Sequence, residues 1–330
     1  MLPRTLFSAE HEDFRKTVRR FIAEEITPHH ARWEEQQHVD RAIWNRAGEL
    51  GFLCHTMPEQ YGGAGTDRLY SVIMMEELSY AGASGIGFNL HTDIVANYIN
   101  NFGNEAQKKQ WLPKMASGEL VGAIAMTEPG TGSDLQAVKT RAVRDGDDYV
   151  LNGSKIFITN GYLAEIMIVV TKTDPSQGAK GTSIFLVETP GLKGYRVGRI
   201  LDKMGMKAQD TSELFFEDVR VPAANLLGGR EGQGFYQLMS DLPYERLIVA
   251  LGGVAAMEGG LEATKQYVRE RKAFGKSIAE FQNTKFKLAE IATKVRIARV
   301  FIDRCIQDQL ERKLDTATAS MAKYWITDTQ

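Results

Sequence analysis

Histidine is confined to the first third of the chain: all six lie at or before His91. A Ser-His-Asp triad or an H-E-x-x-H zinc site in the later two thirds is therefore excluded, because each needs an imidazole there. Cysteine is scarce as well. Cys54 and Cys305 form no C-x-x-C pair and sit in apolar surroundings; they read as buried, reduced thiols in a reducing compartment. The longest apolar run, Leu247 to Met257, has eleven residues and includes two glycines, against about 20 needed for a membrane helix. The N-terminus has neither an apolar leader core nor an Arg/Ser-rich transit stretch. The expectation is a cytoplasmic protein of bacterial type, or a mature organellar form with its leader removed, then in the mitochondrial matrix. No charge dominates either: the net charge is -2, with no long run of one sign. That argues against a nucleic-acid or anionic-membrane partner, and the short apolar run argues against membrane insertion. No G-x-G-x-x-G follows a strand. Gly275-Lys276-Ser277 resembles the end of a P-loop, but Glu270 stands where the first glycine belongs.

At 330 residues the chain exceeds the roughly 250–300 that one core supports, so two or three subdomains are expected. The first third is helical in period: Phe14, Val18, Phe21 and Ile22 recur at helical spacing, and segments near 40–51, 68–82 and 92–118 behave alike. From Val121 to about Pro222 the residues alternate and β-branched types are common. Asp148 to Ile158 reads as a hairpin with Asn152-Gly153 as its turn, and Asp145-Gly146 marks another turn. Ile166 to Val170, Ser183 to Val187 and Glu213 to Phe216 supply further strands. With no helical pattern between them, antiparallel pairing is favoured. After Gly234 the helical period returns along Leu247, Leu251, Val254, Met257 and Leu261. A second helix carries Leu288, Ile291, Val295, Ile302 and Cys305, and a third begins near Asp315. The expected fold class is α+β: an N-terminal helical domain (1–120), a middle antiparallel β domain, barrel or sandwich (121–230), and an incomplete C-terminal helical bundle (231–330). Such a bundle would expose an apolar stripe for another chain or segment to cover. Gly82, Gly85 and Gly87 would permit a roomy pocket among the helices around Glu77 to Phe102.

Thr127-Glu-Pro-Gly-Thr-Gly-Ser-Asp134 makes an irregular turn rich in free N–H groups, which suits phosphate or flavin contacts; taken alone, an ordinary surface loop is the favoured reading. Phe157-Ile-Thr-Asn-Gly161 sets an aromatic beside a hydroxyl, by itself a common packing arrangement. Together they are more specific. Met126 to Asp134, then Asn152-Gly153-x-Lys155-x-Phe157-Ile158-Thr159-Asn160-Gly161, then Phe215 to Pro222, Arg271-Lys-Ala-Phe-Gly-Lys276 and Gln282 resemble the acyl-CoA dehydrogenase family, over the whole chain and in its order. Glu245-Arg246-Leu247 and Ala319 to Trp325 look most like its long-chain subgroup.

The resemblance implies an FAD enzyme that desaturates medium- or long-chain acyl-CoA. A proton leaves the α carbon, a hydride leaves the β carbon for flavin N5, and the product is the trans-2-enoyl-CoA. By position, Ile124, Ala125, Met126, Thr127, Ser133, Phe157, Ile158 and Thr159 would line the flavin. Arg271 and Gln282 would reach FAD phosphates or adenosine across a subunit interface; an arginine fork suits pyrophosphate. Ser133, Gly181, Thr182, Tyr236, Pro243, Tyr244 and Arg246 would contact the thioester substrate. Glu245 would be the base, as in long- and branched-chain members; the other reading is a helix-start acid beside Arg246. Implied partners are an electron-transfer flavoprotein and further copies of the chain, as a homotetramer or dimer. The resemblance also implies that relatives continue past the position of Gln330, with a further helix pair, a Gly-Gly segment that meets FAD and a backbone N–H on the thioester carbonyl. The chain is thus expected to be shortened. An acyl-CoA oxidase or flavin monooxygenase of the same superfamily, or a non-catalytic CoA-ester binder, are the competing readings.

Overall fold

The computed structural model describes residues 4–330 and resolves into two compact units that cut across the order of the sequence. One comprises residues up to Glu24, Arg68–Ala83 and Leu242–Gln330; the other comprises Glu25–Asp67 and Ser84–Asp241.

The first unit is helical. Helix α1 (Ala9–Phe21) starts where Ser8 and His11 form a reciprocal capping box. The second unit contributes α2 (His30–Gln36) and α3 (Ala42–Glu49) before the chain returns to the first in α4 (Arg68–Tyr80). The long helix α7 (Gly234–Glu270) from Leu242 onward, α8 (Gln282–Leu310) and α9 (Thr316–Thr329), the last capped by Asp315, complete the first unit; α5 (Ala96–Phe102), α6 (Glu105–Ala116) and the start of α7 up to Asp241 belong to the second. Its core joins Leu69 and Val72 of α4 to Leu247, Ile248, Leu251 and Val254 of α7, Ile302 and Cys305 of α8, and Ile326 of α9. The three C-terminal helices are therefore not left alone; α4 supplies core side chains. By length and composition α7 could cross a membrane, although no apolar run in the sequence is that long. Here its apolar face is spent on this protein core. Ile297, Val300, Met321 and Tyr324 of α8 and α9 remain exposed.

Beside this core lies a charged cluster that helical patterning hides, since charged residues in helices usually mark a solvated face. Glu76 and Glu77 of α4 are buried. Arg299 donates to Glu76 at 2.7 Å and to Glu258 at 2.6 Å, Arg4 bridges Glu76 and Asp303 at 2.8 Å each, and Arg15 reaches both Glu76 and Glu77. Burial alone would raise the Glu76 pKa. Arg299, Arg4 and Arg15 overcome it and hold the group at about 2.

The second unit is built on a mixed sheet: β1 (Gly122–Ala125), β2 (Arg141–Asp145), β3 (Asp148–Thr159), β4 (Ile166–Lys172), β5 (Thr182–Glu188), β6 (Tyr195–Ile200) and β7 (Thr211–Pro222), in the order β1-β4-β2-β3-β7-β6 with β5 paired to β4. Pairing is antiparallel except that β1 lies parallel to β4 and Arg141 meets Lys172 in parallel. The crossover runs through the β2–β3 hairpin rather than a helix. Every residue of β4 is buried. Ile166, Ile168 and Val170 face a core with Val95, Ile99, Trp111 and Met115 of the helical side; Met167 and Val169 face one with Tyr149, Leu151, Leu214 and Phe216. Strand β6 has no clear sequence signature, because Arg196, Gly198 and Arg199 interrupt its apolar positions.

Two expectations are corrected here. The β2–β3 hairpin turns at Asp145-Gly146, where Gly146 has φ 63°, but Asn152-Gly153 is not a turn. Strand β3 runs straight through it with a bulge against β7 between Leu151 and Gly153. The Asn152 side chain accepts from Asp218 N at 2.9 Å and donates to the Asp218 carboxylate at 3.0 Å, and a Cβ at Gly153 would lie 2.4 Å from Thr140 Oγ1. Close packing, not a reversal, requires the glycine. Gly85 and Gly87 likewise do not make room: a Cβ would lie 2.4 Å from Ala208 Cβ or 2.0 Å from Asn160 Oδ1, respectively.

His91 anchors the start of β1. Its Nδ1 accepts from Gly122 N at 2.9 Å, so Nε2 carries the proton and donates to Met115 O at 3.0 Å. Burial pushes its pKa down to about 4. A histidine kept neutral stabilises the fold fully above its unfolded value of about 6.5 and loses that contribution as pH falls towards 4. The full loss is about 3 kcal/mol. Thermal melts should fall over that window, and His91→Gln should flatten the fall. Equal slopes for the two proteins would assign the acid sensitivity elsewhere.

Candidate active site

In the second unit, β1 runs out into the Met126–Asp134 segment. Glu128 N donates to Thr131 O at 2.9 Å and Thr131 N to Glu128 O at 3.0 Å, which closes a tight turn around Pro129-Gly130. A Cβ at Gly130 or Gly132 would meet nothing within 4 Å; the outer side of the turn is open. Its inner side is locked. The buried Glu128 carboxylate accepts from Lys139 N at 2.7 Å, Thr140 N at 2.9 Å, Thr140 Oγ1 at 2.6 Å and Lys155 Nζ at 2.9 Å. Lys155, on β3 and 1% exposed, also donates to Met126 O at 3.1 Å and Val170 O at 2.6 Å. Burial lowers its pKa to about 8 against the pull of Glu128. Burial would raise the Glu128 pKa, but Lys155 and the hydrogen bonds from Thr140 and Lys139 hold it below the usual carboxylate range. The two sequence motifs are thus tied together by a buried ion pair.

Strand β3 carries a second bulge between Lys155 and Ile158, where two residues, Ile156 and Phe157, oppose one on β7. Phe157 sits there with φ 61° and its ring 62% exposed. Asn160, with φ 60°, ends the strand; its side chain donates to Gly87 O at 3.3 Å and Gly122 O at 3.2 Å. A left-handed backbone at Phe157 costs about 1–3 kcal/mol and persists where surroundings enforce it, whereas asparagine adopts that region readily. Ile156 N donates to Thr127 O at 3.0 Å. The result brings together an open turn, an outward aromatic and the half-buried Thr127 and Thr159, with Ala125 and Ile158 buried behind and Ile124 and Met126 part-buried.

The other predicted positions are distributed as follows. Ser133 is exposed, next to Asp134, whose side chain accepts from Gln136 N. Thr182 is fully buried and its hydroxyl accepts from Lys172 Nζ at 3.0 Å, while a Cβ at Gly181 would lie 1.7 Å from Asp174 O. Tyr236 is exposed on the first turns of α7.

In the first unit, Pro243, Tyr244, Glu245 and Arg246 lie in α7. Glu245 is 8% exposed, and the neighbouring Tyr244 packs its ring under the Arg68 guanidinium at 3.9 Å. Pro243 removes one helical hydrogen bond just before the acid. Arg271 and Gln282 are both exposed, flanking the connection between α7 and α8. There β8 (Lys272–Ala273) and β9 (Lys276–Ser277) form a small hairpin, with Phe274 at its tip (φ 53°) and 94% exposed. Among these residues, Glu128, Lys155, Asn160 and Phe274 carry more of the geometry than their residue types suggest. An acid and a lysine separated by 27 positions give no local signal of pairing.

Comparison with known proteins gives a consistent picture. Residues 8–119, 123–219 and 232–330 match the N-terminal, middle and C-terminal domains of acyl-CoA dehydrogenase. The mitochondrial long-chain specific acyl-CoA dehydrogenase of Sus scrofa is 51% identical over 329 residues, 99% of this chain and 76% of that protein. The crystal structure of an acyl-CoA dehydrogenase from Geobacillus kaustophilus superposes with a TM-score of 0.96 at 48% identity, covering 99% of this chain and 86% of that one. A glutaryl-CoA dehydrogenase from Mycobacterium smegmatis in complex with FADH2 superposes at 0.88 with 30% identity, covering 98% and 82%.

Proposed function

The chain belongs to the acyl-CoA dehydrogenase family of oxidoreductases, and on that premise we propose that it desaturates medium- or long-chain acyl-CoA thioesters between the α and β carbons. The observation that carries the reading is the surface made by the open Pro129–Gly132 turn and the outward Phe157, braced from behind by Glu128 and Lys155. This surface fits a planar, polar-edged ring system: an aromatic to lie against it, N–H groups of the turn, and the Thr127 and Thr159 hydroxyls at its edge. FAD, when bound, supplies the acceptor for the hydride that leaves the β carbon.

The chain's own residues do the rest. Ile124 to Thr127, Ser133 and Phe157 to Thr159 hold the flavin ring; Arg271 and Gln282 hold the phosphate or adenosine end, in a homo-oligomer. Ser133, Gly181, Thr182, Tyr236, Pro243, Tyr244 and Arg246 receive the thioester substrate, and Glu245 takes the α proton. The proton goes to the carboxylate, the electron pair of the Cα–H bond becomes the new double bond, and the product is the trans-2-enoyl thioester. The long-chain preference is supported by the 51% identity to a long-chain specific relative. An electron-transfer flavoprotein is the proposed acceptor of the reducing equivalents, and the three-part division at 1–120, 121–230 and 231–330 is proposed with it.

Heat-denatured protein should release FAD. Chromatography of the supernatant decides this, and FMN or a nicotinamide in its place would sink the cofactor assignment. An acyl-CoA panel with a dye acceptor should then give turnover that rises with chain length from butyryl towards palmitoyl. Activity confined to butyryl-CoA or to branched acids would refute the long-chain reading.

A further inference from the structure

Asp210 stands immediately before β7 and is 3% exposed. One residue here serves three successive parts of the turn that ends β3. Its backbone carbonyl accepts from Asn160 N at 3.3 Å, and its carboxylate accepts from Tyr162 N at 3.4 Å and from Leu163 N. The turn also closes on itself, with Gly161 N donating to Ile158 O and Ala164 N to Asn160 O. It follows directly on Phe157-Ile158-Thr159, and it includes Asn160, one of the two left-handed residues of that segment. Left-handed backbone at Phe157 relaxes unless neighbouring groups hold it.

We propose that Asp210 is a positioning residue for the end of β3 that faces the flavin, and that its ionised carboxylate holds the Asn160–Leu163 turn while protonation loosens it. The proposal rests on the reading that Phe157 to Thr159 line the flavin. The groups facing Asp210 are few. Lys203, on the segment between β6 and β7, is near enough to favour the anion; its amine also donates to Gln209 O at 2.5 Å. Asp202 lies beside Lys203 and acts on it. Tyr195 of β6 feels the carboxylate charge, and its hydroxyl is buried without a hydrogen-bond partner among the described residues. Tyr162 offers its backbone N–H. Against this modest support, burial raises the Asp210 pKa to about 7. A carboxylate accepts N–H bonds about twice as strongly as a neutral oxygen, so proton uptake weakens both turn contacts at once. The sign follows: the turn is held above about pH 7 and loosens as pH falls through it. Phe157 and Thr159 then lose their fixed placement.

Two measurements on the full chain test this between pH 6 and 8.5: amide hydrogen exchange at residues 160–164, with and without added FAD, and the FAD dissociation constant. Protection at Tyr162 and Leu163 should fall towards pH 6, and FAD should bind about five- to tenfold more weakly there, as expected for two weakened charge-assisted bonds. D210N keeps an acceptor oxygen but cannot titrate, so both profiles should become flat. D210A removes the acceptor, so protection and affinity should be low at every pH. A purely structural Asp210 would lower stability in the variants without moving any pH profile. FAD binding with the same pH step in D210N would overturn the Asp210 proposal alone. Absence of FAD binding at every pH would overturn the flavin reading, and the proposal with it, whatever the exchange data show.

Discussion

Glu245→Gln should slow substrate-driven bleaching of the flavin band by about 10²–10⁴-fold, the usual contribution of a positioned general base, while substrate binding changes little. The α proton of a thioester is a weak acid, and its removal needs a base aimed at it. Histidine is ruled out beyond His91. Glu245 is a buried carboxylate of α7, with the core residues Tyr244 and Leu247 near it in the helix. Asp241, four residues earlier in the same helix, is already committed: Asn97 and Asn101 donate to it at 3.2 Å. Asp241→Asn is therefore the informative control, and it should leave the bleaching rate within about threefold, the scale of an indirect effect rather than of a lost base. Glutamine keeps the size and hydrogen-bonding shape of Glu245 and removes its basicity. Anaerobic stopped-flow with a saturating acyl-CoA reports the chemical step directly. If the glutamine protein bleaches at close to the unmodified rate, Glu245 is a helix acid and the base lies elsewhere.

The course of the chain was largely legible in the sequence, and the reasons for the failures are specific. Strands β4 and β5 announce themselves as apolar runs because they are buried on both faces. Asp145-Gly146 announces a hairpin because only a left-handed glycine fits there. Asn152-Gly153 carries the same signal and means something else: the glycine is demanded by Thr140 across the sheet, which is a tertiary fact. The glycines near residue 85 mislead in the same way, since the lack of a side chain can make space or let something else fill it. The site follows this division. Its visible members, Thr127, Phe157 and Thr159, stand in motifs; Glu128 and Lys155 stand in the same motifs, but nothing local to either announces their pairing. Lys155 occupies a strand position where alternation would permit either face, and Asp210 reads as a loop acid. The parallel β1–β4 pair was hidden for a related reason: parallel strands usually announce themselves by a helix between them, and here a hairpin makes the crossover. The Arg299 cluster shows the same limit in the helical unit, because long-range ion pairs leave no periodic trace.

Lys155→Met should have the largest effect on the fold of the second unit, a destabilisation of about 3–5 kcal/mol. The reason is asymmetric. Desolvating two charges is costly, and their attraction roughly repays it, so a buried pair adds little by itself. Removing one member leaves the other buried, charged and uncompensated. In this protein the survivor would be Glu128, whose carboxylate keeps its bonds from Lys139 N, Thr140 N and Thr140 Oγ1 but loses its counter-charge. Two carbonyls, of Met126 and Val170, would lose their donor in the same stroke. The damage falls on the turn that starts at Thr127, so FAD retention should drop together with the calorimetric transition. The decisive comparison is the double variant Glu128→Gln, Lys155→Met. Glutamine still accepts from Lys139 and Thr140 but carries no charge, so the uncompensated anion is gone. If electrostatics sets the cost, the double variant melts above the single one despite carrying one more substitution. If it melts lower, Lys155 matters for its hydrogen bonds to Met126 and Val170, and the ion pair with Glu128 is incidental to the stability of the site.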